Sequence, residues 1–440
     1  GLKIHSNYDL RIGEKNGRNQ ESDKIENQMN SKFKEISLKK KEGGRYNCEI
    51  IKFSHTEETN NSPEKRFILE TDLDYETFLK CDNAKYNPNQ NNVEIDGTVM
   101  NGIGKHINDQ TLDALIVIKN ADFRCTSSLF RASSSSNNDA QVIHFLGEGV
   151  HTITNTDFKW CGKNPYLFKK DNERLLEDFD PTLIVFDDSS KNFISGGQFY
   201  HSEKESPQSF DVFPARCIRT KKTCSLTVSG TYFYNATAYH RGSFFLLDSS
   251  EDAYIIHSYF EACYDRENYA HAICANQGMV DIKDCNFNNV LMNPSSSGSI
   301  IRADTKSFNF EGNNIKFDNP SINCRCIYIP NSGTFNMLHN EFKNIEINQN
   351  SAAIYIEKPS DISFNNNEFD NLIGTGIGHA LLLTFDTLED KPLVGNKFQN
   401  IPSGDGLIFI RSADDIETNY TFDGWKLNNI HQNGGGIINV

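Results

Sequence analysis

The sequence has few of the features that mark several common protein classes. Among its 440 residues there are only 2 Trp, 5 Met and 12 Pro, and no run approaches the ~18 uninterrupted apolar residues of a membrane-spanning helix. Lys and Arg number 44 against 59 Asp and Glu, a net charge of −15, so the basic surface that binds nucleic acid is missing. The sequence therefore predicts neither a membrane span nor a nucleic-acid partner. A hydrophobic content of 37% with 31 Phe excludes a disordered chain.

The 11 Cys form no Cys-x-x-Cys pair, and a four-ligand metal site needs more than the two thiols of Cys324 and Cys326. No resident metal or cofactor is therefore predicted. Cys217 and Cys224 flank one corner and are candidates for a disulfide, but buried free thiols packed as small hydrophobes are the favoured interpretation. The sequons at Asn60, Asn235 and Asn419 make these residues candidates for glycosylation.

Internal periodicity is the most informative feature of the sequence. Short β-rich runs such as Ile354-Tyr355-Ile356 alternate with polar corners rich in Gly, Asn, Asp, Pro and Ser, a pattern of short strands separated by turns. A Phe recurs at one point of each repeat, at intervals of 25 to 30 residues from Phe233 onward. The Phe series is Phe123, Phe158, Phe199, Phe233, Phe260, Phe287, Phe317, Phe342, Phe369 and Phe398. A period of three short strands predicts a stacked coil, with the seven Phe from Phe233 to Phe398 stacked in its core.

Asn recurs at fixed distances from this Phe. Two residues after the repeating apolar position stand Asn289, Asn319, Asn344, Asn371, Asn400 and Asn429, and the same spacing places Asn235 after Phe233. Two residues before it stand Asn340, Asn367 and Asn396. Asn tolerates left-handed backbone dihedrals at sharp corners, and equivalent Asn side chains can hydrogen-bond at the ~4.8 Å strand spacing. The first set is predicted to form a structural Asn ladder, although a generally Asn-rich composition contributes to the pattern.

The succession of strand, polar corner, strand, Asn corner and x-Phe-x-Asn resembles the right-handed parallel β-helix of the pectin-lyase-like superfamily. The resemblance is strongest to non-catalytic β-helical surface proteins of protists and bacteria. It implies an all-β solenoid of about ten to eleven coils, at the cell surface or outside the cell. The superfamily also contains polysaccharide lyases and hydrolases, so the fold does not select an activity.

The chain is predicted to have two parts. Residues 1–92 form an N-terminal cap of mixed short strands, with a short helix at 72–80, because an open β-helix end would pair with other chains unless covered. Residues 93–440 form the β-helix. Insertions at 161–180 and 200–214 interrupt the repeat and are predicted to be binding loops.

An acidic column is the best candidate for a ligand site. Counting 12 residues back from each repeating apolar position places Glu357, Asp386 and Asp415 at the same corner of three consecutive coils. Such a column is suited to a glycan or to Ca²⁺, which takes oxygen ligands, and its spacing also brackets that of glycosidase carboxylates. Solvated acidic turns are the simpler interpretation. No catalytic residue is assigned.

Three functions follow from this sequence. The favoured hypothesis is a non-catalytic extracellular or cell-surface scaffold for adhesion, assembly or ligand display, with a glycan or a protein as its surface ligand. The first alternative is a polysaccharide lyase or glycoside hydrolase with an acidic groove. The second is a structural filament subunit whose copies stack end to end.

Overall fold

The computed structural model describes part of the chain. The described residues are 3–4, 35–36, 48–56, 64–71, 76–80, 92–96, 99–101, 114, 116–119, 122–131, 140–162, 181–188, 190–201, 215–238, 241–265, 271–290, 299–318, 325–330, 332–347, 352–374, 380–385, 391–401, 407–412, 420–430 and 438–439. They divide into two compact units, unit 1 over Gly1–Leu226 and unit 2 over Thr227–Val440.

Every regular element in these ranges is a β-strand. Unit 1 contains β1 (Lys3–Ile4), β2 (Glu35–Ile36), β3 (Cys48–Thr56), β4 (Glu64–Thr71), β5 (Glu76–Lys80), β6 (Asn92–Asp96), β7 (Val99–Asn101), β8 (Ile116–Lys119), β9 (Asp122–Thr126), β10 (Leu129–Arg131), β11 (Ala140–Leu146), β12 (Gly149–Thr154), β13 (Asp157–Lys159), β14 (Thr182–Asp187), β15 (Ser190–Ser195), β16 (Gln198–Tyr200) and β17 (Arg216–Lys222). β18 (Ser225–Ser229) spans the boundary.

Unit 2 continues in the same style. Its strands are β19 (Tyr232–Ala238), β20 (Phe245–Ser249), β21 (Ala253–Ile256), β22 (Tyr259–Asp265), β23 (His271–Ala275), β24 (Met279–Lys283), β25 (Asn286–Asn288), β26 (Ser299–Ala303), β27 (Thr305–Glu311), β28 (Asn314–Lys316), β29 (Arg325–Ile329), β30 (Ser332–Leu338), β31 (Glu341–Ile347), β32 (Ile354–Glu357), β33 (Asp361–Asn365), β34 (Glu368–Gly374), β35 (Leu381–Phe385), β36 (Lys391–Pro392), β37 (Lys397–Ile401), β38 (Ile408–Ser412), β39 (Tyr420–Thr421), β40 (Lys426–Ile430) and β41 (Ile438–Asn439).

In unit 1 the strands form three sheets in which each strand pairs in parallel with the equivalent strand one turn later. The first sheet holds β8, β11, β14 and β17, the second β1, β6, β9, β12 and β15, and the third β7, β10, β13 and β16. β2 to β5 pair antiparallel with one another, and β3 joins the first sheet in parallel beside β8. The helix predicted at 72–80 is wrong, because β5 occupies Glu76–Lys80 and pairs with β4. The cap boundary at residue 92 stays a prediction.

Unit 2 also contains three parallel sheets, numbered by the same order along each turn. The first holds β20, β23, β26, β29, β32, β35, β38 and β41, the second β21, β24, β27, β30 and β33, and the third β19, β22, β25, β28, β31, β34, β37 and β40. The predicted class, an all-β parallel β-helix, is therefore confirmed. The described residues contain fewer complete three-strand turns than the ten to eleven coils predicted. In the last turns, the two-residue strands β36 and β39 follow the first-sheet strands. They pair with each other and are not part of the second sheet.

A column of stacked Phe rings fills the interior beside the third sheet. In unit 2 Phe233, Phe260 and Phe287 stack at centroid distances of 5.1 and 4.7 Å. Phe342, Phe369 and Phe398 stack at 4.8 and 5.2 Å. All six rings are fully buried, where they contribute apolar burial and offset stacking.

The prediction that Phe317 belongs to this column is wrong. Ile315 pairs in register with Phe287 on one side and Phe342 on the other. The ring of Phe310 from the second sheet lies 6.1 Å from Phe287 and 6.4 Å from Phe342. Ile315 from the third sheet and the Phe310 ring from the second sheet thus fill this layer of the core together. Close packing requires that the volume of the layer be filled, but side chains from either sheet can fill it. In unit 1, Phe123 lies on β9 of the second sheet, and Phe130 holds the column position opposite Phe158.

A second column, of buried Asn side chains, runs through the turn between the second and third sheets. Asn313, Asn340, Asn367 and Asn396 are at most 1% exposed. The Oδ1 of Asn367 accepts from the backbone N–H of Asn340 at 3.1 Å and from its Nδ2 at 2.9 Å. The Nδ2 of Asn367 donates to the Met337 carbonyl and to Asn396 Oδ1, each at 3.1 Å. Each interior amide is thus hydrogen-bonded on both sides, as buried polar groups require.

The predicted outer ladder lies at a left-handed corner of the third sheet. Asn235, Asn289, Asn344, Asn371, Asn400 and Asn429 all have φ between 48° and 57°. Direct Asn–Asn bonds join Asn371 to Asn344 and Asn429 to Asn400, each at 3.0 Å. The Nδ2 groups of Asn289 and Asn400 instead donate to Asp318 and Asp370. Asn319 lies outside the described residues, and Phe317 stands two residues after Ile315 in its lap.

Candidate functional site

Alternation along the first sheet of unit 2 separates a core face from an outer face. On β29 and β32 the side chains of Ile327, Ile329, Ile354 and Ile356 are buried, whereas Tyr328 and Tyr355 are partly exposed. Register places Arg302 opposite Tyr328, and Tyr328 opposite Tyr355. Because successive residues of a strand point to opposite sides, Arg302, Tyr328 and Tyr355 lie next to one another on the outer face of three neighbouring strands.

Arg325, Tyr328, Tyr355 and Glu357 form one compact group, here called the Tyr–Arg cluster. The two phenol rings stack at 5.4 Å with an interplanar angle of 20°. The Arg325 guanidinium carbon lies 4.7 Å from both ring centroids, a cation–π distance. The Tyr328 hydroxyl donates to Glu357 Oε1 at 2.9 Å. The cluster therefore combines a cation, two rings and a carboxylate in fixed positions.

The environment keeps both phenols protonated. Burial, aided by the hydrogen bond to Glu357, raises the pKa of Tyr355 to about 12. Burial, then the same carboxylate, also raises the pKa of Tyr328. A phenol hydrogen-bonded to a carboxylate resists ionisation because a second negative charge would lie beside the first. The two hydroxyl groups are thus donors throughout the physiological pH range.

A polar network lies next to the cluster, at the ends of the preceding outer strands. The Nδ2 of Asn276 donates to Asp248 Oδ1 at 2.6 Å, and Nη1 of Arg302 donates to Asn276 Oδ1 at 3.4 Å. Arg302 also lies 3.8 Å from an Asp304 carboxylate oxygen. Cys274 is in register with Arg302 and fully buried, and burial raises the pKa of its thiol. A raised pKa makes Cys274 a packing residue rather than a nucleophile.

The outer face therefore offers guanidinium, amide, phenol and carboxylate groups side by side. This mixture of oriented donors and acceptors matches ligands that carry many hydroxyl groups. Arg302, Tyr328 and Tyr355 are held on strands, and Asn276 and Asp304 directly follow strand ends. Across the described portion of the chain, no group of three or more His, Cys, Asp or Glu side chains is placed to hold a metal ion.

The acidic column predicted from sequence is not what the register gives. Glu357 pairs with Thr384, and Thr384 with Arg411; Asp386 and Asp415 lie outside the described residues. Thr384 lies 14 residues before Phe398, whereas Glu357 lies 12 before Phe369, so a fixed offset misaligns the laps. The number of residues between the first-sheet strand and the third-sheet strand therefore differs between these two turns, and the repeat does not fix it.

Sequence counting also missed Asn276 and Asp304. Counting 12 residues back from Phe287 and Phe317 gives Ala275 and Thr305, each one residue away, but Ala275 is buried in the core. Strand alternation was the signal that could have corrected this, because inward Ile301 and Ala303 require Arg302 and Asp304 to face outward.

Other predicted sites have mixed outcomes. Asn235 lies on β19 at a left-handed corner; Asn60 and Asn419 lie outside the described residues, as do 163–180 and 202–214 within the predicted binding loops. Cys217 and Cys224 are free and buried, so the disulfide alternative is wrong. Cys224 instead accepts a hydrogen bond from Ser190 at 3.4 Å.

Within the described part of the chain, no helix is long and apolar enough to cross a membrane. No protein-family model matches the sequence, and no curated protein matches it. A solved structure that is similar is that of the Streptococcus pneumoniae surface protein and adhesin PfbA. It is 12% identical with a TM-score of 0.30, over 79% of this chain and 76% of that one. At this level of identity and TM-score, the likeness transfers no property of that protein to this chain.

Proposed function

We propose that this chain is a non-catalytic extracellular or cell-surface scaffold for adhesion or ligand display, and that its Tyr–Arg cluster binds a glycan. The observation that carries the proposal is the fixed array of Arg325, Tyr328, Tyr355 and Glu357 on the outer face of the first sheet. Its aromatic rings lie on the partly exposed outer face, whereas Phe and Ile side chains fill the interior.

Rigidity supports the display of such a surface. Below the cluster, the inward residues of β29 and β32 are buried, and the strands are held in register by parallel pairing. Groups on a packed sheet keep their spacing without a ligand, so binding costs little conformational entropy. A hydroxyl-rich polymer lying across several strands would meet donors and acceptors at regular intervals.

The test is binding of the intact chain to an array of immobilised neutral and acidic glycans. Arg325→Ala and Tyr355→Phe remove the cation and one hydroxyl, and each should weaken binding at least tenfold, about 1.4 kcal/mol. Lys343→Ala is the matched control, because Lys343 lies on the outer face of the third sheet beside Glu341. Glycan binding unchanged in both cluster variants, or absent from the intact chain, would refute the proposal.

Catalysis is tested separately. The intact chain is incubated with polysaccharides from the same panel, and release of new reducing ends or of unsaturated sugars is followed over time. A scaffold leaves the polymers intact. Turnover that disappears in Glu357→Gln would overturn the non-catalytic assignment and establish the alternative of a polysaccharide-active enzyme.

A further inference from the structure

A separate group of aromatic side chains lies on the outer face of the third sheet in unit 2. Tyr232 and Tyr234 are on β19, and Tyr259 and Glu261 are on β22. Register pairs Tyr232 with Tyr259, and Tyr234 with Glu261. Between them Phe233 and Phe260 point inward and are fully buried. The four outer residues thus form a two-by-two arrangement, here called the Tyr platform.

The platform is ordered by its own contacts. The ring centroids of Tyr232 and Tyr234 are 6.2 Å apart, and those of Tyr232 and Tyr259 are 6.1 Å apart. The Tyr232 hydroxyl donates to Glu261 Oε2 at 2.9 Å, which fixes the direction of one phenol. Tyr259 is 43% exposed. Tyr232 and Tyr234 are partly exposed, so the three phenols form a contiguous aromatic patch at the surface, and exposed apolar patches mark interaction sites.

The surroundings of the platform select the chemistry of its ligand. On the next strand, Asn286 pairs with Tyr259 and Asn288 with Glu261, so amide groups continue the surface. The sequences of β19, β22 and β25 contain no Lys or Arg. An anionic polymer would find no cation on these strands, and the single carboxylate of the platform, Glu261, carries too little negative charge to select a basic polymer. Charge therefore favours a neutral ligand.

Carbohydrates are neutral ligands that use both aromatic rings and amide groups. The C–H face of a pyranose packs against the electron-rich face of an aromatic ring, and its hydroxyl groups bond to amides, carboxylates and phenols. The ring centroids lie 6.2 and 6.1 Å apart, so one oligosaccharide can contact more than one ring. A protein partner would require a far larger contact, about 800 Å² on each side, than three phenols supply.

We propose that Tyr232, Tyr234, Tyr259 and Glu261 form a second sugar-binding surface that takes a neutral oligosaccharide. The platform lies on the third sheet, whereas the Tyr–Arg cluster lies on the first sheet, so the two sites bind independently. This inference goes beyond the proposed function and does not rest on it. Two sites on one unit would strengthen attachment to a glycan-coated surface through effective concentration.

The experiment titrates the intact chain with chitohexaose, xylohexaose and maltohexaose, following ligand saturation-transfer signals and the chemical shifts of labelled tyrosine rings. At least one hexasaccharide should bind saturably and perturb the platform tyrosines. Tyr259→Ala should weaken that binding at least tenfold, and Glu261→Gln should weaken it while retaining the shape of the site. Tyr254→Ala is the matched control, because Tyr254 is an outer tyrosine of the same lap on the second sheet.

The outcomes separate the two sites. Binding lost in Tyr259→Ala but kept in Arg325→Ala supports the platform. Binding lost in Arg325→Ala but unchanged in Tyr259→Ala overturns the platform and leaves the proposed function intact. No saturable binding of any of the three sugars, or equal losses in Tyr254→Ala and Tyr259→Ala, also overturns it. Thermal unfolding of every variant verifies that the fold is retained.

Discussion

Removing one amide from the interior Asn column should destabilise the solenoid far more than removing one from its surface. The change is Asn367→Ala, at a position that is 0% exposed. Four hydrogen bonds made by the Asn367 side chain disappear, two from Asn340 and one each to Met337 and Asn396. The backbone N–H of residue 367 still donates to Asn396 Oδ1 at 2.9 Å, so that bond survives in the variant.

The magnitude follows from the groups left without partners. The Asn340 backbone N–H and one Nδ2 hydrogen of Asn340 become orphan donors in a buried site, at about 1–3 kcal/mol each. Met337 and Asn396 lose a donor but keep acceptor capacity. The expected loss in the free energy of unfolding is therefore about 2–6 kcal/mol, in the range of large core substitutions.

The control is Asn371→Gly, four residues later in the same lap. Asn371 has φ of 57°, which Gly adopts without strain, and the change removes its partly exposed bond to Asn344. Its cost should stay below about 1 kcal/mol. The two variants compare the buried side-chain amide of Asn367, in the turn before β34, with the partly exposed side-chain amide of Asn371 on β34.

Urea unfolding followed by circular dichroism gives the change in stability, and hydrogen exchange at the Asn340 amide gives a local measure of opening. Exchange there should accelerate at least tenfold in Asn367→Ala, the equivalent of about 1.4 kcal/mol, and remain unchanged in Asn371→Gly. If Asn367→Ala costs no more than Asn371→Gly, the interior Asn column does not contribute more to stability than the outer Asn residues.

Four other predictions test separate features of the structure. Burial lowers the pKa of His201 from 6.5 to about 4. As pH drops from 6.5 to 4, the unfolded chain binds the proton before the folded chain does, so the free energy of unfolding should fall. His201→Gln should flatten that pH dependence, as measured by urea titrations at several pH values. Burial raises the pKa of Cys285 to about 12, so iodoacetamide at pH 8 should label Cys285 only after unfolding, as mass spectrometry of the peptides would reveal. Ala262 has φ of 50°, and Ala262→Asn should raise the free energy of unfolding by about 0.5–1 kcal/mol by relieving left-handed strain; an unchanged unfolding midpoint would contradict this. Phe310→Ala should cost about 3–5 kcal/mol, because its ring joins the two halves of the Phe column, and a cost under 1 kcal/mol would show that Ile315 alone fills the layer.

The repeat could be predicted from sequence because each lap solves the same steric problem. A ring at one phase and an Asn at a left-handed corner recur wherever three short strands must close around a narrow interior, and Phe233, Phe260 and Phe287 follow that rule. The rule fails for Phe317. The unequal intervals of 30 and 25 residues on either side of Phe317 indicated that it does not occupy the repeating position. Replacing it by Ile315 changes them to 28 and 27, so register, not residue type, identifies the column.

The outer surface could not be predicted in the same way. Its groups depend on which residue of each strand faces outward and on how many residues each corner contains, and corners vary without cost to the core. Glu357 was selected from sequence, but its contacts with Tyr328 and the adjoining Arg325 come from side chains that no fixed offset relates to it.

By itself, the sequence determined that this chain winds as a parallel β-helix. Every turn must pair its backbone groups and fill the same core volume, so residues of the same type recur at a fixed interval in the sequence. Only the tertiary structure decided which outward residues meet across strands. Those meetings are set by register and corner length, which are global properties of the stack and leave no periodic trace in the chain.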